Sequence, residues 1–146
     1  MRRLRRFLAL ASSDRRLLFR AALWLGLVRA GLWVLPFQDL LDRLMSPVPG
    51  RESSPAAPVA ADRIGWAVLT ASRYVPGARA CLPRALATTI LLRRAGLPAQ
   101  LRLGLARGED GRAEAHAWVE SEGRVIMGAD ELERYIPISA LKGAGH

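Results

Sequence analysis

The chain of 146 residues has one cysteine, Cys81, and two histidines, His116 and His146. A single cysteine excludes an internal disulfide, and a reducing, cytoplasmic compartment suits it. So few sulfur and imidazole ligands also argue against a cysteine/histidine zinc site, and neither a metal nor any other cofactor is expected. Long hydrophobic runs are missing too. Leu8-Ala9-Leu10-Ala11 is too short for the apolar segment of a secretory leader, and Asp14-Arg15-Arg16 closes it, so no secretion signal is expected. The most apolar stretch, Ala21 to Leu35, is interrupted by Arg29 and falls short of the roughly 20 residues that cross a bilayer. Pro36 ends it.

Acidic residues are scarce at the front of the chain. Residues 1–30 hold eight arginines against one aspartate, which accounts for seven of the nine net positive charges. The basic character therefore belongs to an arm that suits an anionic membrane surface or an acidic peptide or protein. Nucleic acid is disfavoured, because the arginines alternate with leucine and tryptophan in a helical rhythm and no nucleic-acid module accompanies them. A helix is expected from Arg15 towards Leu35, capped by Ser13 or Asp14, with Leu17, Leu18, Ala21, Leu25, Val28 and Leu32 inward or lipid-facing. A shorter amphipathic helix is expected over Phe37 to Met45. Residues 46–61 carry Pro47, Pro49, Pro55 and Pro58 and read as a linker or irregular loop. The expected organisation is a basic helical region over 1–45, this linker, and a domain over 62–146.

In the domain, Asp62 is placed to cap a helix from Arg63 to about Tyr74, which Pro76-Gly77 ends. A second helix starts at Cys81. Leu82, Leu86, Ile90 and Leu91 recur at helical spacing, Pro83 stands in the first turn where a missing amide hydrogen costs nothing, and Gly96 with Pro98 supplies the stop. The period then changes. Leu101, Leu103 and Leu105 alternate with Arg102 and Gly104 as in a half-buried strand. A loop over 107–111, a strand from Ala113 to Glu120, a Ser121-Glu122-Gly123 turn and a strand from Arg124 to Met127 follow. Helices first and an antiparallel sheet afterwards make an α+β fold.

Three residues of this domain have the chemistry of a nucleophilic site. At a helix N-terminus, unpaired amides and the positive end of the helix dipole favour the thiolate of Cys81, the form that attacks carbonyl carbon. The other reading of Cys81 is a small buried hydrophobe. His116 shares the polar face of its strand with Glu114, Trp118 and Glu120, where Trp118 shields it and solvent still reaches it, as a general base requires. An exposed strand histidine without a task is the alternative. Asp130, fourteen positions beyond His116, follows the hairpin and is placed to orient the imidazole, with Glu131 as a rival.

The block Cys81-Leu82-Pro83-Arg84-Ala85-Leu86-Ala87, the run Leu91-Leu92-Arg93-Arg94-Ala95-Gly96, and Ala115-His116-Ala117-Trp118-Val119-Glu120 followed by Gly123 resemble the leader peptidases of lasso-peptide biosynthesis. These have a transglutaminase-like, papain-related fold. The likeness covers about residues 62–138. It implies a cysteine peptidase with Cys81 as nucleophile, His116 as base and then acid, and Asp130 as the orienting carboxylate; Trp118, two residues from His116, is a further candidate for substrate contact. It also implies three partners: a precursor peptide, a separate leader-binding protein, and an ATP-dependent, asparagine-synthetase-like cyclase that closes the macrolactam. ATP would be the cyclase's cofactor. One departure from the papain pattern is plain: the glutamines are Gln38 and Gln100, and neither stands just upstream of Cys81 as an oxyanion donor. The same residues also suit a transglutaminase or amidase, and a non-enzymatic docking scaffold is a third reading.

Overall fold

The computed structural model describes residues 2–36, 39, 57–75, 77, 80–128 and 135–137. Among the described residues, helices α1 (Arg2–Ala9), α2 (Ser12–Val34), α3 (Ala57–Ser72) and α4 (Cys81–Arg94) precede strands β1 (Gln100–Arg107), β2 (Ala113–Ser121), β3 (Arg124–Met127) and β4 (Ile136–Pro137). The expected helix over Phe37 to Met45 lies outside the described residues except for Asp39, which is helical.

Burial explains the helical layer. In α2 the residues Leu18, Ala21, Leu25 and Val28 recur every three or four positions and are buried, so this stripe packs on α3 and α4. Asp14 lies in the first turn of α2, as its charge favours, and pairs with Arg63 of α3. At the other end of the contact, the Arg94 guanidinium covers the Trp24 ring at 5.2 Å. Helix α3 begins at Ala57, inside the stretch expected to be linker. Pro58 falls in its first turn, where a proline removes no intrahelical hydrogen bond. Asp62 is consequently interior to α3 and accepts from Arg124 Nη1 at 3.3 Å instead of capping.

Helix α4 is the centre of the fold. Every residue from Ala85 to Leu92 is buried, because α2 and α3 cover one side and the sheet covers the other. Thr88 and Thr89 tolerate this by turning their hydroxyls onto the carbonyls of Arg84 and Ala85, each at 2.8 Å. The helix closes at Gly96, with Leu97 N–H bonded to the Leu92 carbonyl at 2.9 Å and the Leu97 side chain buried in the core.

The sheet is antiparallel in the order β3-β2-β1-β4. Strands β2 and β3 meet through Glu122 and Gly123, both at positive φ (50° and 79°), the two-residue turn that matches strand twist. Leu101, Leu103, Ala117, Val119 and Met127 face the helices and join the core. Helices on one face of an antiparallel sheet give an α+β architecture, as expected. Strand β4 is not visible in the sequence pattern. It is two residues long, contains Pro137, and pairs with β1 at the sheet edge, where a missing amide hydrogen is tolerated.

Candidate active site

Cys81 is the first residue of α4. Ala80 before it is extended (φ −63°, ψ 154°) and no side chain caps the helix, so the first amide groups of α4 are not taken up by a capping side chain. The thiol is half-buried and rests, with Leu82, on the main core. Arg84 folds back along the first turn, its Nε donating to the Ala80 carbonyl at 3.4 Å.

His116 stands opposite Gly104 in the β1–β2 ladder. Its ring stacks on Tyr135, with centroids 4.9 Å apart, and lies 6.1 Å from the Trp118 ring at an interplanar angle of 21°. Trp118 is 5% exposed and donates from Nε1 to Glu120 Oε1 at 3.0 Å, which locks the indole beside the imidazole. Gly104 makes the room, since a Cβ there would meet Trp118 Cζ3 at 2.8 Å and Tyr135 Cβ at 3.0 Å.

The polar contact of the ring carries the most chemical information. His116 Nε2 lies 2.8 Å from the carbonyl oxygen of Gly128. A carbonyl oxygen only accepts, so in the neutral imidazole Nε2 bears the hydrogen and Nδ1 keeps its lone pair. The tautomer is thereby set, with Nδ1 as the proton acceptor. Gly128 delivers that carbonyl from a backbone at φ +84°, and a Cβ on it would come to 2.8 Å from Ala117 O and 3.0 Å from Trp118 Cβ.

Cys81 and His116 lie on elements in contact, since α4 packs on β2. Among the described residues no hydrogen bond joins thiol and imidazole. Alternation along β2 puts the ring on the face away from Ala117 and Val119, the residues that meet the helices. Asp130 and Glu131 lie outside the described residues. Among the described residues no cluster of His, Cys, Asp and Glu is suited to a metal ion. Two contributors escaped sequence reasoning. Gly128 acts through its carbonyl, which every residue type has, and Tyr135 precedes a strand too short for alternation. The glycine directly after β3 was the available signal.

A family model described as the transglutaminase-like superfamily matches residues 22–140. No curated protein and no solved structure matches the chain.

Proposed function

The chain belongs to the transglutaminase-like superfamily, whose members suggest acyl transfer through a cysteine, and on that premise we propose that it is the cysteine peptidase that removes the leader from a lasso-peptide precursor. The observation that carries this reading is the His116 ring, held through Nε2–H by the Gly128 carbonyl on a strand packed against the helix that starts with the only cysteine of the chain. The finer assignment, to leader removal, is supported by the Cys81 and His116 sequence blocks and their order.

In the proposed reaction Nδ1 of His116 takes the thiol proton of Cys81, and sulfur attacks the carbonyl carbon of the scissile bond. This step requires the Cys81 thiol to reach Nδ1 on the face of β2 that bears His116, a contact absent among the described residues of the free site. First-turn amides of α4, with the exception of Pro83, which has none, would serve as donors for the developing oxyanion. The C–N bond breaks, the amine leaves with the proton from His116, and a thioester joins leader to Cys81. Water, giving a proton to His116, then attacks the thioester, the C–S bond breaks, and His116 passes that proton to sulfur. The products are a leader ending in a carboxylate and a core peptide with a free α-amine, the group a partner cyclase joins to a side-chain carboxylate. A separate leader-binding protein would present the precursor, and Asp130 would reinforce the orientation of His116.

The test is to incubate the chain with a lasso precursor and its leader-binding partner and weigh the products. Two fragments whose masses sum to precursor plus water are expected, and Cys81→Ala should abolish them. A single product of altered mass would indicate transfer to another acceptor, the transglutaminase-type outcome. Unchanged processing by Cys81→Ala would end the nucleophile assignment and leave a docking scaffold.

A further inference from the structure

The outer face of α2 is apolar along its second half. From Ala21 to Val34 every exposed position, Leu23, Leu27, Ala30, Trp33 and Val34, is hydrophobic; Leu23 and Leu27 are 51% exposed and Trp33 and Val34 80%. Arg29, the one charge in that stretch, is turned away, its guanidinium lying against Gly77. The opposite face of α2 is committed to the core. Cationic groups gather at the N-terminal end. Helix α1 has no buried residue; helical spacing gathers Leu4, Phe7 and Leu8 on one side and spreads Arg2, Arg3, Arg5 and Arg6 round the other. Arg16 and Arg20 of α2 are exposed as well.

A strip of hydrophobic side chains about 20 Å long, continued by an amphipathic helix bearing guanidinium groups, is complementary to a surface that is apolar below and anionic above. We propose that α1 and the outer face of α2 lie along an anionic phospholipid membrane, in its headgroup layer, with the sheet turned towards water. A bilayer fits better than a protein groove, because the exposed positions from Ala21 to Val34 offer no polar side chain to fix a partner's register. By length and composition α2 would also suffice to cross a membrane. Crossing would strip Leu18, Ala21, Leu25 and Val28 from α3 and α4 and separate Asp14 from Arg63, so the helix lies in the plane. The inference goes beyond the peptidase reading and does not rest on it.

Co-sedimentation of the full chain with vesicles tests it. Vesicles of mixed phosphatidylglycerol and phosphatidylcholine should bind the chain, and phosphatidylcholine alone should bind it at least 100-fold more weakly, given roughly fivefold per arginine near an anionic surface. Replacing Arg2, Arg3, Arg5 and Arg6 by Gln together should weaken binding several hundredfold on the same scale, and these positions cannot unfold the core because α1 buries nothing. Leu23→Gln with Leu27→Gln should weaken it by roughly 10- to 100-fold with circular dichroism unchanged. Alkaline carbonate should release the bound chain. Equal affinity for neutral vesicles, binding that survives the arginine replacements, or retention after carbonate would overturn the proposal. So would lipid-free self-association that the leucine pair abolishes, since a second copy would then cover the face.

Discussion

Replacing Gly128 by alanine is the sharpest probe of the His116 setting, because Gly123 provides a matched control. Both glycines sit at positive φ, +84° and +79°, so each alanine meets the same left-handed penalty of about 1–2 kcal/mol. Only Gly128 also lacks space. Its Cβ would lie 2.8 Å from Ala117 O and 3.0 Å from Trp118 Cβ, whereas a Cβ on Gly123 finds nothing within 4 Å. Crowding backbone into backbone adds about 1–3 kcal/mol. Gly128→Ala should thus destabilise the fold by about 2–5 kcal/mol and Gly123→Ala by about 1–2 kcal/mol. At about 4 °C per kcal/mol, thermal unfolding should separate the two melting temperatures clearly. The functional contrast should be larger. Relief of the clash displaces the carbonyl that receives His116 Nε2–H, so the rate of precursor cleavage, measured well below either melting temperature, should fall by about 10- to 100-fold in Gly128→Ala. Gly123→Ala, which lies in the β2–β3 turn, should stay within about twofold of the parent. Equal cleavage by the two variants would refute the claim that the Gly128 carbonyl sets the ring.

Leu92 is fully buried at the centre of the helical layer, so Leu92→Ala should cost about 2–5 kcal/mol by denaturant titration; a cost below about 1 kcal/mol would mean that α4 is not the packing centre. The Asp14–Arg63 pair links α2 to α3 with side chains 22% and 47% exposed, and a double-mutant cycle to alanine should return a coupling of no more than about 1 kcal/mol. A coupling of several kcal/mol would show that the pair, and not the apolar stripe beside it, fastens α2 to the body.

The fold was legible where periodicity and punctuation coincide. Leu18, Ala21, Leu25 and Val28 announce the inner face of α2, and Gly96 stops α4 where a helix needs a residue free to leave it. A turn closing on Gly123 could be read from a glycine between two alternating runs, but one residue too long, since Ser121 still belongs to β2 and Glu122 and Gly123 alone make the turn. Misreadings have physical causes. Prolines argue against helix in general, yet Pro58 falls in a first turn, which is the place a helix accepts one. The spacing of Leu82, Leu86 and Ile90 marks a helix but says nothing of the alanines and threonines between them. Those small residues let neighbouring helices and strands approach from all sides, and the two buried hydroxyls are satisfied within α4 itself.

The site was legible as residue types and only partly as geometry. A cysteine at a helix start and a histidine on the polar side of a strand are recognisable because both the chemistry and the local structure belong to that residue. What orients the histidine is different. Sequence reasoning looks for a carboxylate and names Asp130, which lies outside the described residues; the partner seen on the ring, a backbone carbonyl, is available at every position and leaves no mark in composition or spacing. Its mark is conformational: only a residue that can turn through positive φ without a Cβ reaches this close to Ala117 and Trp118. The same logic applies on the other strand, where Gly104 has to be small for Trp118 and Tyr135 to close over it. Gly128 therefore determines which imidazole nitrogen is free to act and Gly104 makes room for the rings that flank it, and a search for the functional residues of this chain that considers only side chains would pass over both.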